Sequence, residues 1–323
     1  MARRSPLVAT LSDRRVGCEF ELLLVSNNGN DQDARQRLSE ILSANGIRAV
    51  ARGYSECPIP PGYDVAVEYD CSLQGCRTYE GVHWVQVETK TRILNGPEDW
   101  DRVVPKLLSI LQYLGAKVNH TTGFHIHIDL PESRNDLRVV RSLYNLIHKY
   151  EPVLYGLIAP SRRSPTGYSM PLSDETKRLH WCRIRQCYQQ AIYPWSRRTG
   201  LNLNHVLSNS PRIEFRYHQG TLDVDKARHW YRLMVRLVDH ATTRSCQASS
   251  KGQIENNRRG FDAFRHCIGL RSHPGIYSKV DRELQETSRY LLMRHKHFAG
   301  QAAESGSETQ SQHASSSMAC STQ

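Results

Sequence analysis

The chain has 323 residues, 39% of them hydrophobic, and a formal charge of +11. That length supports one large domain or two smaller ones, and no run of about 18 apolar residues offers a membrane span. The positive surplus favours anionic partners: nucleotides, nucleic acid, acidic peptides or a membrane surface.

The first residues, Met1 to Ala9, lack the apolar stretch of a secretory signal. Nine cysteines are scattered without a CxxC pair, and Cys71 and Cys76 are wrongly spaced for a zinc knuckle. A reduced, cytoplasmic protein with free thiols is the expectation. Residues 1–13 read as a loose basic arm, 14–298 as a single domain with a helical part at 246–298, and 299–323 as a disordered Ser/Gln-rich tail with almost nothing apolar to bury.

Arg15 to Val25 reads as a strand. Cys18, Phe20 and Leu22 fall on one face, Glu19 and Glu21 on the other, because side chains alternate along a strand. Two carboxylates in an otherwise apolar strand are costly unless paired or coordinating a cation. Asp31 to Asn45 reads as an amphipathic helix closed by Gly46, followed by a short strand from Ile47 to Ala51. A Pro/Gly-rich loop at 57–62 precedes two more strands, Asp64 to Asp70 and Gly81 to Thr91. Glu88 stands among the β-formers of the second, with Glu80 as the fallback if the register slips.

A helix starts at Gly96-Pro97 and ends at Gly115. Thr122 to Leu130 alternates strictly. Phe124, Ile126 and Ile128 share one face; His125, His127 and Asp129 share the other. The pattern predicts a helix over Asp136 to Tyr150, continuing through Pro152 to Ile158. Ser161 to Gly200 carries eight Lys/Arg against two acids. It is expected to hold a loop and then a helix from Ser173 to Ala191. Leu201 to Val206 reads as a short strand. In Pro211 to His218, Glu214, Arg216 and His218 are expected on one face, with Ile213, Phe215 and Tyr217 on the other. Helices over Asp223 to Thr243, Phe261 to Leu270 and Lys279 to Arg294 complete the domain.

If these strands form one mainly antiparallel sheet, a single face gathers Glu19, Glu21, Glu88, His125, His127, Glu214 and Arg216. Four glutamates so close would repel unless cations held them ionised. Hard cations such as Mg²⁺ take carboxylate oxygens, and Arg216 suits phosphate. Zinc fits less well, since the ligands are mostly oxygen and no thiolate shares the face.

Gly17-Cys18-Glu19-Phe20-Glu21, Thr122-Gly123-Phe124-His125-Ile126-His127 and Arg212-Ile213-Glu214-Phe215-Arg216 resemble the G-x-E-x-E, G-x-H-x-H and E-x-R strands of the carboxylate–amine ligases related to glutamine synthetase and glutamate–cysteine ligase. In order and spacing, together with Asp70-x-Ser72-Leu73, Val87-Glu88 and Leu201-Asn202-Leu203, the pattern is similar to the amidoligase family of that superfamily over roughly residues 14–245. The resemblance implies an α+β, glutamine-synthetase-like fold with a curved, mainly antiparallel sheet and helices on its outer face. It implies ATP with Mg²⁺ or Mn²⁺, and an amide bond formed through an acyl phosphate with release of ADP. Glu19, Glu21, Glu88, His125 and Glu214 are then similar to metal ligands, and His127 and Arg216 to groups touching phosphate. Asp70, Ser72 and Asn202 are placed near the acceptor or amine, with Asp70 or Glu21 as base. Arg197 and Arg198, with Arg183 and Arg185, are expected to meet ATP phosphates or an acidic substrate.

The partners implied are a small-molecule or peptide carboxylate and an amine, with an oligomer as one possible assembly. Two departures stand out. Thr89-Lys90-Thr91 follows Glu88 where the family has Ser-Pro, and His83-Trp84 stands where a glutamate is expected. Two other readings compete. One is a basic protein binding nucleic acid or an acidic partner, with the sheet as scaffold. The other is a hydrolase using His125, His127 and Glu214 on one transition metal.

Overall fold

The structure is a computed structural model. It describes residues 11–53, 58–70, 78–79, 82–163, 169–172, 174–247, 252–271 and 281–298. Most of the expected arm, the expected tail, Ser72, Glu80, Cys71 and Cys76 lie outside them.

The strands are β1 (Arg15–Ser26), β2 (Ala49–Ala51), β3 (Val65–Glu68), β4 (Thr78–Tyr79), β5 (Val82–Thr91), β6 (Leu94–Asn95), β7 (Gly123–Asp129), β8 (Leu201–Asn202) and β9 (Arg212–Gln219). They form one open sheet in the order β2-β3-β5-β1-β7-β9-β8, with β4 on β5 and β6 on β1. Every named pair is antiparallel except β2 with β3. Residues 52–64, between β2 and β3, are long enough for the crossover connection that a parallel pair needs. The fold is thus a mixed α and β structure with a largely antiparallel sheet, as the strand patterns imply.

The helices are α1 (Asp31–Ala44), α2 (Gly96–Tyr113), α3 (Arg138–Tyr155), α4 (Arg185–Ile192), α5 (Val224–Thr243), α6 (Arg258–Cys267) and α7 (residues 282–298). The caps of α1 and α5 are written in the sequence. Asn30 accepts from the N–H groups of Gln32 and Asp33, and Asp223 from those of Asp225 and Lys226. Each satisfies donors that a helix start leaves open. None of the described helices is long and apolar enough to cross a membrane.

One apolar core joins the inward faces of β1, β5, β7 and β9 to the helices. Phe20 of β1 stacks on Phe124 of β7 at 4.5 Å, and Trp100 of α2 on Tyr231 of α5 at 4.9 Å. The period-two pattern therefore sorts β1 and β7 correctly: aromatics go to the helices, and carboxylates and imidazoles to the opposite face. Before β1, Leu11 packs on the core, and Ser12 donates to Asp239 of α5 at 2.7 Å.

Four expectations fail. The helix over Ser173 to Ala191 is instead a 3-10 stretch, Asp174–Trp181, followed after a break by α4. The helix continues through Pro152, as expected, but stops at Tyr155 rather than Ile158. The strand at Leu201 to Val206 shrinks to two residues ahead of a turn. Finally, His218 does not share a face with Glu214. The β7–β9 register shifts between Phe124 and Ile126, so β9 carries an extra residue there. Such a bulge breaks strict alternation. It turns His218 toward the core, edge-on to Phe124 at 5.9 Å and beside Trp230 at 5.0 Å.

Candidate active site

Strand register assembles the polar face. Glu19 of β1 lies opposite His125 of β7 on one side and Lys90 of β5 on the other. Glu21 faces Glu88, Glu88 faces Glu68 of β3, and His127 faces Glu214 of β9, which in turn faces Asn202 of β8. Five strands thus deliver carboxylates and imidazoles to one patch. Glu21, Glu68, Glu88, His125, Glu214 and Asn202 are buried.

The contacts are short and overlapping. His125 Nδ1 lies 3.3 Å from Glu19 Oε2 and its Nε2 lies 3.5 Å from Glu21 Oε1. His127 Nε2 is 3.1 Å from Glu19 Oε1 and 3.9 Å from Glu214 Oε1. Arg216 pairs with Glu214 Oε1, and Asn202 donates to Glu214 Oε2 at 2.7 Å. Glu21 accepts the Gly123 N–H at 2.5 Å. The ligand atoms fall into three groups that a cation can occupy: Glu19, Glu88 and His125; Glu19, His127 and Glu214; Glu21, Asp70 and Glu88. Within each group the atoms lie within 4.8 Å of one another.

The electrostatics divide the face. Burial opposes ionisation of Glu19, but His127, His125 and Lys90 outweigh it and hold the carboxyl well below its ordinary range. Glu214 is likewise lowered despite burial, by Arg216 and His127. Burial also works against charge on His127, yet Glu19 and Glu214 raise its pKa. Glu88 goes the other way. Burial first and then Glu19 push it well above the carboxylate range, with Lys90 pulling back. A divalent cation near Glu88 would reverse that balance, since nearby positive charge favours the ionised form.

The family described as "Putative amidoligase enzyme" matches residues 12–238, the span that carries every one of these side chains. This chain belongs to the amidoligase family. No curated protein matches it. Among solved structures, it is similar to a chain in the crystal structure of the complex between prokaryotic ubiquitin-like protein Pup and its ligase PafA, at 14% identity and a TM-score of 0.41. The match covers 90% of this chain and 65% of the other, so the amidoligase spans just under two thirds of that length.

The donor set of the amidoligase fits hard divalent cations. Carboxylate oxygens dominate, imidazole supplements them, and none of the three groups contains a thiolate. His127 Nε2 is buried and, although close to Glu19, is not aligned for a hydrogen bond. Arg216 Nε is buried without a hydrogen-bond partner. Buried polar atoms left this way need a partner, which a cation would supply to His127 and an anionic ligand to Arg216.

Of the residues expected in the site, Glu19, Glu21, Glu88, His125, His127, Glu214 and Arg216 come together, with Asp70 beside Glu21 and Glu88. Asn202 arrives as the partner of Glu214. Arg197 and Arg198 are exposed in the turn leading into β8, Arg183 is exposed between the 3-10 stretch and α4, and Arg185 is exposed at the first position of α4. No ion pair joins any of these four to the cluster among the described residues. Asp129 sits at the far end of β7, 3.4 Å from Arg15.

Three participants escape the sequence reading. Lys90 projects beside Glu88, its Nζ 3.0 Å from Glu88, 3.2 Å from Glu68 and 3.9 Å from Glu19. Alternation along β5 puts residues 88 and 90 on one face, so this signal was present. Arg162 is only 1% exposed and directs Nη2 toward Glu21 at 3.9 Å and the Thr121 carbonyl at 3.3 Å. It comes from a segment that reads as a surface loop. Gly123 is the third. A Cβ there would lie 2.5 Å from His125 Nε2 and 2.7 Å from Arg162 Nη2, so any larger residue forces these site side chains to shift.

Proposed function

We propose that the carboxylate-lined face is the active site of an ATP-dependent ligase that joins a carboxylate to an amine through an acyl phosphate. The observation that carries the reading is the overlap of the three cation-binding groups through shared Glu19 and Glu88, with Arg216 on Glu214 at their edge. Family membership supports amide-bond formation in general. A funnel curved as in glutamine synthetase belongs to the same proposal.

In this reading a substrate carboxylate oxygen bonds to the γ-phosphorus of ATP as the bond to ADP breaks. The amine nitrogen then bonds to the carbonyl carbon as phosphate leaves. Mg²⁺ or Mn²⁺, held by Glu19, Glu21, Glu88, His125 and Glu214, supplies charge neutralisation for the phosphoryl oxygens. Arg216 and His127 meet those oxygens from β9 and β7, in a preorganised site that needs no rearrangement as charge develops. Asp70 or Glu21 accepts the proton that the ammonium must lose before it attacks. Asn202 orients Glu214. Arg197 and Arg198 serve as outer contacts for the anionic substrate.

Glu19 and Glu21 both face the cluster, which favours a carboxylate-rich site for hard cations over a single-metal hydrolase on His125, His127 and Glu214. Calorimetric titration with ATP tests the ligase reading. The wild type is expected to bind ATP only with Mg²⁺, and Glu214→Gln to bind at least tenfold more weakly. Absence of ATP binding by the wild type under any metal condition would overturn the reading.

A further inference from the structure

Lys90 stands where a cation would be expected to stand. It lies on β5 directly opposite Glu19, two residues past Glu88, and its ammonium reaches three carboxylates at 3.0, 3.2 and 3.9 Å. Glu68, the second of these, is fully buried and also held by Arg52 at 2.6 Å. The ammonium therefore has a fixed seat rather than a swinging one. It touches Glu88 and Glu19, the two carboxylates that the three cation-binding groups share. A divalent ion bridging those two needs oxygens at about 2.1 Å. An ammonium 3.0 Å from Glu88 and 3.9 Å from Glu19 stands against the same two carboxylates, and two cations that close repel strongly in a buried setting.

We infer that the Lys90 ammonium takes the place of one divalent cation, so that this face binds one fewer metal ion than its carboxylates would otherwise hold. The inference rests on the proposal that the face binds divalent cations. A lysine is a compact point charge with three donors and no vacant coordination position. It neutralises Glu19 and Glu88 without being able to bridge them to a phosphate oxygen as a metal does. Bridging is thereby confined to the ions on the Glu214 side and beside Glu21 and Asp70.

The test counts Mn²⁺ bound per chain, by electron paramagnetic resonance of free Mn²⁺ during titration, in the wild type, Lys90→Met and Lys90→Arg. Lys90→Met, which keeps the stem but not the charge, is expected to bind one more Mn²⁺ per chain than the wild type. Lys90→Arg is expected to match the wild type. An unchanged count in Lys90→Met overturns the inference while leaving the cation-binding face intact. No Mn²⁺ on the wild type overturns the prior reading of the face, a separate result. Should Lys90→Met fail to fold without metal, circular dichroism after refolding in Mn²⁺ decides. Recovery with the extra ion bound supports the replacement, and no recovery assigns Lys90 a purely structural role.

Discussion

At the scale of single residues, the site depends on atoms that the sequence pattern does not advertise. Gly123 is the sharpest case. Any side chain there meets His125 and Arg162 at distances that real Cβ atoms do not adopt. Gly123→Ala should destabilise the fold by about 1–3 kcal/mol, the usual cost of overpacking, and weaken Mn²⁺ binding at the same time. Chemical denaturation beside metal titration checks both, and an alanine variant with wild-type values would show that the neighbours yield freely. Asp70 and Glu21 differ in a testable way as proton acceptors. If Asp70 is the base, Asp70→Asn should still cleave ATP when given a carboxylate but form amide at least a hundredfold more slowly. Equal loss of both steps would move the role elsewhere. Lys90 shows how a legible signal is passed over. The alternation that picks out Glu88 also picks out residue 90, but a lysine at the end of a strand reads as surface unless its buried neighbours are known.

Among elements, β1 and β7 could be read almost completely from sequence, because each keeps strict period two and each buries its apolar half against the helices. β9 could not. Its bulge leaves Glu214 where alternation puts it and sends His218 to the other face, and no turn residue marks the extra position. The 3-10 stretch over Asp174–Trp181 fails for a related reason. Its apolar residues suit a helix of either kind, and tertiary contacts select between them. Glu151 on α3 supports these irregular parts from behind. It accepts the Tyr217 hydroxyl at 2.7 Å and the Leu172 N–H at 3.1 Å. Burial pushes its pKa up to about 7, although those donors work the other way. An acid whose folded pKa is raised binds its proton more tightly in the folded state. Its contribution is therefore complete below about pH 4.5 and is lost as pH rises toward 7, a difference on the order of 3 kcal/mol. Stability curves of the wild type and Glu151→Gln should diverge across that window, with the wild type falling relative to the variant as pH rises. Parallel curves would show that Glu151 ionises in the fold without penalty.

For the whole molecule, the contrast is between a carboxylate-rich site and a chain of charge +11. The negative face by itself repels a nucleotide, while the surrounding surface attracts one. Long-range attraction of this kind acts on association rate and is screened within about 8 Å at physiological salt. ATP association in the presence of Mg²⁺ should therefore slow severalfold between low and physiological ionic strength, with dissociation little changed. Stopped-flow titration measures both, and a salt-independent association rate would remove any steering role for the basic surface.

The position of β1 in the sheet has a further consequence for how the chain is made. β1 comes first in sequence among the strands, yet its two neighbours are β5 at residues 82–91 and β7 at residues 123–129. One edge stays unpaired until β5 is complete at residue 91 and the other until β7 is complete at residue 129, and β7 must then wait for β9. Pairing across such separations is slow, and an apolar strand with open edges is a template for wrong partners. During synthesis, the strand that carries Glu19 and Glu21 is thus the segment with the longest exposure to aggregation. Any fragment that ends before β7 would carry that exposed edge for good.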